Sequence, residues 1–222
     1  MIRNAAPKAR RSRLAAPLSQ PFYDRPTEDV ARDLLGKVLE HRTREGIVAG
    51  RIVETEAYIG EHDLACHAAA GKTNRTAPLY GPPGIAYVYF VYGMYWCVNA
   101  VTRSEGEPSA VLIRAVEPVA GIDLMRARRP RARNDVDLTN GPGKLCLALA
   151  IGREQNWSDL SRSPLVIREA ASVQDNDVIV TPRIGVSRSA DWPLRYFVRD
   201  NPWVSRTPPQ FERRAFARQR HR

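Results

Sequence analysis

Two glutamates separated by a single residue, Glu54 and Glu56, stand in the run Arg51-Ile52-Val53-Glu54-Thr55-Glu56-Ala57-Tyr58. The run reads as a strand, and alternation then places Glu54, Glu56 and Tyr58 on one face. Two carboxylates side by side repel, so one of them is expected to have a raised pKa where that face is shielded from water. A carboxylate beside an aromatic ring is suited to activating a water while the ring holds a flat substrate. The competing reading is a solvated face on which both glutamates pair with arginines. Arg114 closes the apolar run Ala110-Val111-Leu112-Ile113. An arginine there is seldom buried without a carboxylate, and Glu56 is the partner expected.

A second segment is unusual for its aromatic density. Tyr87, Tyr89, Tyr92 and Tyr95 fall within nine residues, with Phe90, Met94 and Trp96 among them. Gly93 is the natural turn, because it accepts positive φ without steric cost. Tyr92 and Met94 then flank a hairpin tip and point away from the body. Two large apolar side chains exposed on a tip mark a binding surface, and wedging between base steps is one use of such a tip. The alternative is a tip folded back, with the tyrosines in the core. Tyr87 and Tyr89 share one face and can line a pocket against the first hairpin. Asn99, a lone polar residue in an apolar run, needs a hydrogen-bond partner if buried.

His62, Cys66 and His67 fit no standard zinc spacing, so no metal is expected, and His67 reads as a hydrogen-bonding residue near the first hairpin. Lys144, one of four lysines, follows Gly141-Pro142-Gly143. A Schiff-base role is possible for it, and helix capping or phosphate contact is the more ordinary one.

The elements that must position these residues follow from local signals. A helix is expected from Thr27, with Glu28 and Asp29 in its first turn, a stripe of Val30, Ala31, Leu34 and Leu35, and a stop at Gly36. Two strands joined around Arg44-Glu45-Gly46 come next, then a loop from Gly60 to Gly84, the aromatic hairpin and the strand AVLIRAVEP. Residues 120–129 suit a helix, KLCLALAI a second one, and VIVTPRIGV and LRYFVRD further strands. The expected fold is mixed α/β (α+β): a single compact domain with a largely antiparallel sheet, flanking helices and a protruding aromatic β-hairpin.

The chain has 222 residues, 26% charged and 43% hydrophobic, which excludes a wholly disordered chain or a fibrous repeat. Its net charge of +10 resides in its ends. Residues 1–23 carry five bases and no acid, and 206–222 carry six arginines against Glu212, leaving the body formally neutral. Any argument from basicity to nucleic acid therefore belongs to the tails. The organisation expected is a basic, disordered arm over 1–19, a domain over 20–205 and a basic tail over 206–222. Cys66, Cys97 and Cys146 are scattered and odd in number, which suits reduced thiols in the cytoplasm. Residues 76–102 lack any charge, but prolines and glycines break the segment and the remainder is aromatic and β-branched, so no membrane span is expected.

The segments RIVETEAYIG, AYVYFVYGMYWCVN, AVLIRAVEP, NGPGKLCLALAI, RIGV and LRYFVRDNPWVS, in this order and spacing, resemble the alkyladenine (3-methyladenine) DNA glycosylase family over roughly Gln20 to Ser205. The resemblance implies a compact α/β domain with a curved antiparallel sheet. It also implies a monofunctional enzyme that flips a damaged purine out of double-stranded DNA and hydrolyses its N-glycosidic bond, with no cofactor. Carried over by position, Glu56 matches the general base and Arg114 the residue that helps hold the water. Tyr58, His67 and Tyr89 match the pocket wall, Asn99 the residue that disfavours the guanine amino group, and Tyr92 the side chain that fills the gap in the helix. Lys72 and Arg75 are the phosphate contacts expected, with the 126–133 arginine cluster behind them, and Met94 joins Tyr92 at the DNA surface. A monomer at the nucleoid is the default. The rival from another class is a nonenzymatic nucleic-acid binder using the aromatic hairpin as a stacking platform.

Overall fold

A computed structural model describes residues 15–206. Helices α1 (Gln20–Tyr23) and α2 (Thr27–Asp33) precede strands β1 (Val38–Thr43) and β2 (Gly46–Ile59). The segment 60–84 contains two short 3-10 turns, His67–Ala70 and Ala77–Tyr80. The aromatic hairpin is β3 (Ala86–Val91) and β4 (Tyr95–Val101), followed by β5 (Ser109–Ala120), α3 (Ile122–Arg128) and α4 (Pro142–Ala148). Three short strands complete the sheet: β6 (Leu165–Arg168), β7 (Val178–Thr181) and β8 (Arg195–Val198). The mixed α/β architecture and the antiparallel sheet are as the sequence implies. The four-residue β6 and the short α1 are additions, each below the length at which periodicity gives a signal.

The sheet runs β3-β4-β5-β2-β1-β6, with β8 on β2 and β7 on β8, every pair antiparallel. β2 is its axis. β5 lies along one edge of β2, whereas the other edge is shared, β1 pairing with residues 46–51 and β8 with 54–56. The Glu54–Glu56 stretch is therefore flanked by strands on both sides. The register of β2 against β5 slips three times, at Val119 near its far end and at Val53 and Arg114 beside the glutamates, leaving each as an extra residue. Such bulges bend the strand and re-aim a side chain.

The larger core lies where the α2 stripe of Val30, Ala31, Leu34 and Leu35, all 0–1% exposed, meets the sheet together with Leu145 and Leu149 around α4. Each such leucine contributes about 1.5–3 kcal/mol by leaving water. A smaller cluster of Cys66, Ala68, Leu79, Ile85, Tyr87, Val101 and Ala110 packs the 60–84 segment onto β3, β4 and β5. Gly36 ends the α2 region at φ +86, where an added Cβ would stand 2.4 Å from the Ala171 carbonyl oxygen.

Of the arm expected over 1–19, residues 15–19 fall within the described part. Leu18 is buried and donates its backbone N–H to Ile167 (2.8 Å), while Arg168 reaches the Ala15 carbonyl (2.9 Å). Residues 1–14 and the tail beyond Arg206 lie outside the described residues.

Candidate active site

Glu54 and Glu56 are both fully buried, so the solvated-face reading fails while its arginine pairing holds. The bulge at Arg114 aims its guanidinium between the two carboxylates: Nε donates to Glu54 (2.9 Å) and an Nη donates to Glu56 (3.1 Å). The pairing of Arg114 with Glu56 is as the sequence suggests. The second partner, Glu54, has no local signal in the sequence, because a bulge leaves no trace in alternation.

The two glutamates differ in what surrounds them. Glu54 accepts from Arg114, from Arg195 Nε (2.7 Å), from the Ser205 backbone N–H (2.7 Å) and from the Ser205 hydroxyl (2.8 Å). Burial pushes its carboxyl up, but Arg114, Arg195 and the Ser205 N–H outweigh that and hold it below the usual carboxylate range. Glu54 is therefore not the raised carboxylate of the pair, since two guanidiniums and a backbone N–H supply more attraction than burial takes away. Glu56 accepts from the Ile184 backbone N–H (2.7 Å) on one oxygen, and from the Tyr58 hydroxyl (2.9 Å) and Arg114 on the other. Arg114, held between two carboxylates, is pushed above its ordinary value despite the opposing effect of burial.

A cavity of about 480 Å³ opens beside this network, a size typical of small-ligand sites. Its wall includes Tyr58, Arg114 and Ile184, the three groups that bond Glu56, although Glu56 itself lies behind them. His67, Tyr87, Tyr89 and Asn99 form further parts of the wall, and Tyr92 stands at its edge. His67 Nδ1 lies 2.8 Å from the Tyr87 hydroxyl, and its ring meets Tyr89 edge-on at 4.6 Å. Burial, aided by the charge of Arg75, lowers the His67 pKa and favours the neutral ring. Asn99 is buried and donates Nδ2–H to the Tyr87 carbonyl (2.9 Å), the partner its sequence context requires.

At the hairpin tip, Val91 and Met94 close a turn through Tyr92 (φ +53) and Gly93 (φ +67). Both central residues have positive φ, as a tight antiparallel turn demands. Gly93 takes this at no steric cost, but Tyr92 does so at about 1–2 kcal/mol. Tyr92 is 81% exposed and Met94 63%, so the tip projects and does not fold back.

The basic candidates are placed differently from one another. Lys72 and Arg75 are exposed on the loop before the hairpin, outside the cavity wall. Arg75 lies over the Tyr89 ring at 5.7 Å and Lys72 over Tyr80 at 5.4 Å. In the 126–133 cluster, Arg126 is bound to Asp123 and Asp135, and Arg128 to Glu45. Lys144 is tied to Asp137 (2.6 Å) and Asn140 (2.7 Å). These three cations are already answered within the chain. Among the described residues, no group of three or more His, Cys, Asp or Glu side chains is arranged to hold a metal, and no helix is long and apolar enough to cross a membrane.

Sequence reasoning missed Asp63, Arg183, Ile184, Arg195 and Ser205. Arg195 opens β8 among apolar residues, much the signal that singled out Arg114, whereas Arg183 lies just past the end of β7. The roles of Ile184 and Ser205 are carried largely by backbone N–H groups, which residue type does not reveal.

A tyrosine-walled cavity backed by a hydrogen-bonded carboxylate has the size and lining of a small-ligand site. Residues 21–202 match the family model described as Methylpurine-DNA glycosylase (MPG). Three relatives share the name "Putative 3-methyladenine DNA glycosylase". That of Methanocella arvoryzae is 48% identical over 196 residues, covering 86% of this chain and 97% of its own. That of Legionella pneumophila (strain Corby) is 46% identical over 193 residues, covering 86% and 98%. That of Koribacter versatilis is 47% identical over 203 residues, covering 88% and 97%. This chain belongs to the methylpurine-DNA glycosylase family.

Proposed function

We propose that this protein excises alkylated or deaminated purines, of the 3-methyladenine, hypoxanthine and ethenoadenine class, from duplex DNA and leaves an abasic site. The observation that carries this reading is that the three groups holding Glu56 also line a tyrosine-walled cavity beside the exposed Tyr92.

In this mechanism Tyr92, with Met94, enters the helix as the damaged nucleotide leaves it, filling the space of the extruded base. Extrusion costs a few kcal/mol and least for a damaged or mispaired base, which contributes to selectivity. Tyr58, Tyr89 and His67 receive the flat base, and Asn99 bars the exocyclic amino group of guanine. A water held by Arg114 gives its proton to Glu56 as its oxygen bonds to the sugar C1′. The C1′–N bond breaks with its electron pair passing to the base. The Glu56 carboxylate also stabilises the positive charge that develops on the sugar. A cationic alkylpurine leaves directly, whereas a neutral base must gain a proton.

A tyrosine face attracts a cation by about 0.5–2 kcal/mol. Here Arg183 already lies 4.6 Å from the Tyr58 centroid and Arg75 lies over Tyr89. Two faces are therefore partly committed, which supports stacking of neutral lesions beside cationic ones. Lys72 and Arg75 meet phosphates near the wedge, and one copy of the chain suffices at the nucleoid, since an asymmetric lesion needs no symmetric reader.

The test is base release from duplexes bearing one such lesion, comparing wild type with Glu56→Gln. Release by wild type alone, with strand scission only after alkali, is the expected result. Release that survives Glu56→Gln removes Glu56 from the mechanism. Tight, salt-sensitive binding without release by either protein replaces the enzyme with the stacking-platform reading.

A further inference from the structure

Asp63 and Arg183 form an ion pair with both side chains at 0% exposure, remote in sequence and outside the arginine–glutamate network described above. The contact is bidentate: Nη1 to Oδ2 at 2.5 Å and Nη2 to Oδ1 at 2.8 Å. Arg183 also donates to the Ala57 carbonyl (3.0 Å) on β2, between Glu56 and Tyr58, and to the Ser189 carbonyl (3.3 Å). Asp63 in turn accepts from the backbone N–H groups of Ile59 (3.2 Å) and Ala65 (3.1 Å). One pair thus ties three segments together: the end of β2, the loop leading to His67, and the strip 183–189.

As a stabilising device this pair is poor. Two charges leave water entirely, and Arg183 Nε, though buried, has no hydrogen-bond partner among the described residues. Apolar residues of similar volume commonly do as well or better at such a position. What the pair does fix is geometry. The next residue, Ile184, directs its N–H onto Glu56 Oε1 at 2.7 Å, the only hydrogen bond to that oxygen among the described residues. The Arg183 guanidinium also rests against Tyr58, whose hydroxyl holds the other oxygen.

We propose that Asp63 and Arg183 are positioning residues for base excision, locking the 183–184 backbone so that Ile184 N–H and Tyr58 hold the Glu56 carboxylate in its working orientation. The inference rests on Glu56 being the general base. Misplacing a reacting group by about 1 Å costs on the order of 100-fold in rate, so losing the lock should slow chemistry while leaving DNA capture by the hairpin intact.

The deciding variant is Asp63→Leu/Arg183→Met, which removes both charges together and leaves neither stranded. Arg183→Lys, which keeps the charge but not the planar fork, accompanies it. Each is measured for melting temperature, for affinity to a duplex carrying an uncleavable abasic-site analogue, and for single-turnover base release. The expected result is a melting temperature at or above wild type for the double variant, affinity within about twofold, and release slowed roughly 10–100-fold. Release at the wild-type rate in the double variant overturns the proposal. So does failure of the double variant to fold, which makes the pair a requirement of the fold itself. Glu56→Gln run alongside separates the two levels. If it still releases base, the underlying reading fails; if it is inactive while the double variant is fully active, only the positioning role fails.

Discussion

Glu54 and Glu56 are two residues apart, yet substitution by glutamine should have opposite signatures. Glu54→Gln is the instructive case. Glu54 is fully buried and accepts four hydrogen bonds from described residues, three on Oε1 and one on Oε2. A glutamine oriented with its carbonyl at the Oε1 position keeps the contacts to Arg114, Arg195 and the Ser205 hydroxyl. Its amide group then faces the Ser205 N–H, donor against donor. The change also removes the buried carboxylate that Arg114 and Arg195 share. Breaking one side of a buried charge network costs about 3–5 kcal/mol. At ~2–4 °C per kcal/mol for a domain of this size, the melting temperature falls by roughly 10 °C. The loss should depend on pH in a defined direction. The folded-state pKa of Glu54 lies below its unfolded value of ~4.3, so its stabilisation is complete above about pH 5 and fades as pH falls through the folded value. Thermal melts of both proteins between pH 7 and pH 3 should show the gap between them narrowing on the acid side. A Glu54→Gln protein melting within about 2 °C of wild type at pH 7 would refute the network argument, as would a gap that stays constant with pH.

Three other outcomes follow from the same geometry. Tyr92→Ala removes the strained, exposed tip residue and should weaken capture of lesion-bearing duplex by about tenfold, near 1.4 kcal/mol, without lowering the melting temperature; unchanged lesion affinity excludes the tip as the wedge. Lys72→Ala should weaken binding alike for damaged and undamaged DNA and reduce the slope of log affinity against log salt by about 1, read from titrations at several salt concentrations. The thiols of Cys66, Cys97 and Cys146 are all buried, with that of Cys66 pushed up to about 11 and the other two also raised, in each case chiefly by burial. Native protein should therefore resist iodoacetamide at pH 7.5, and all three thiols should react once denaturant is added, as mass spectrometry would record.

Much of the site is legible in the chain itself because its signals are local. Alternation alone puts Glu54, Glu56 and Tyr58 on one face, and Gly93 amid large aromatics marks a tip on which Tyr92 and Met94 stand exposed. The apolar run before Arg114 identifies an arginine that must find a carboxylate. The α2 stripe, the two hairpins and the antiparallel character of the sheet follow from the same short-range patterns. Tertiary structure alone decided how the two glutamates differ. Their chemical types are identical, and only the approach of β8, the Ser205 backbone and the 183–184 strip makes Glu54 a saturated anchor and leaves Glu56 bonded through groups that line the cavity. The bulge that aims Arg114 and the pairing of Asp63 with Arg183 across 120 residues have no local signature either. Each depends on which strands meet, and that is settled by packing of the whole domain.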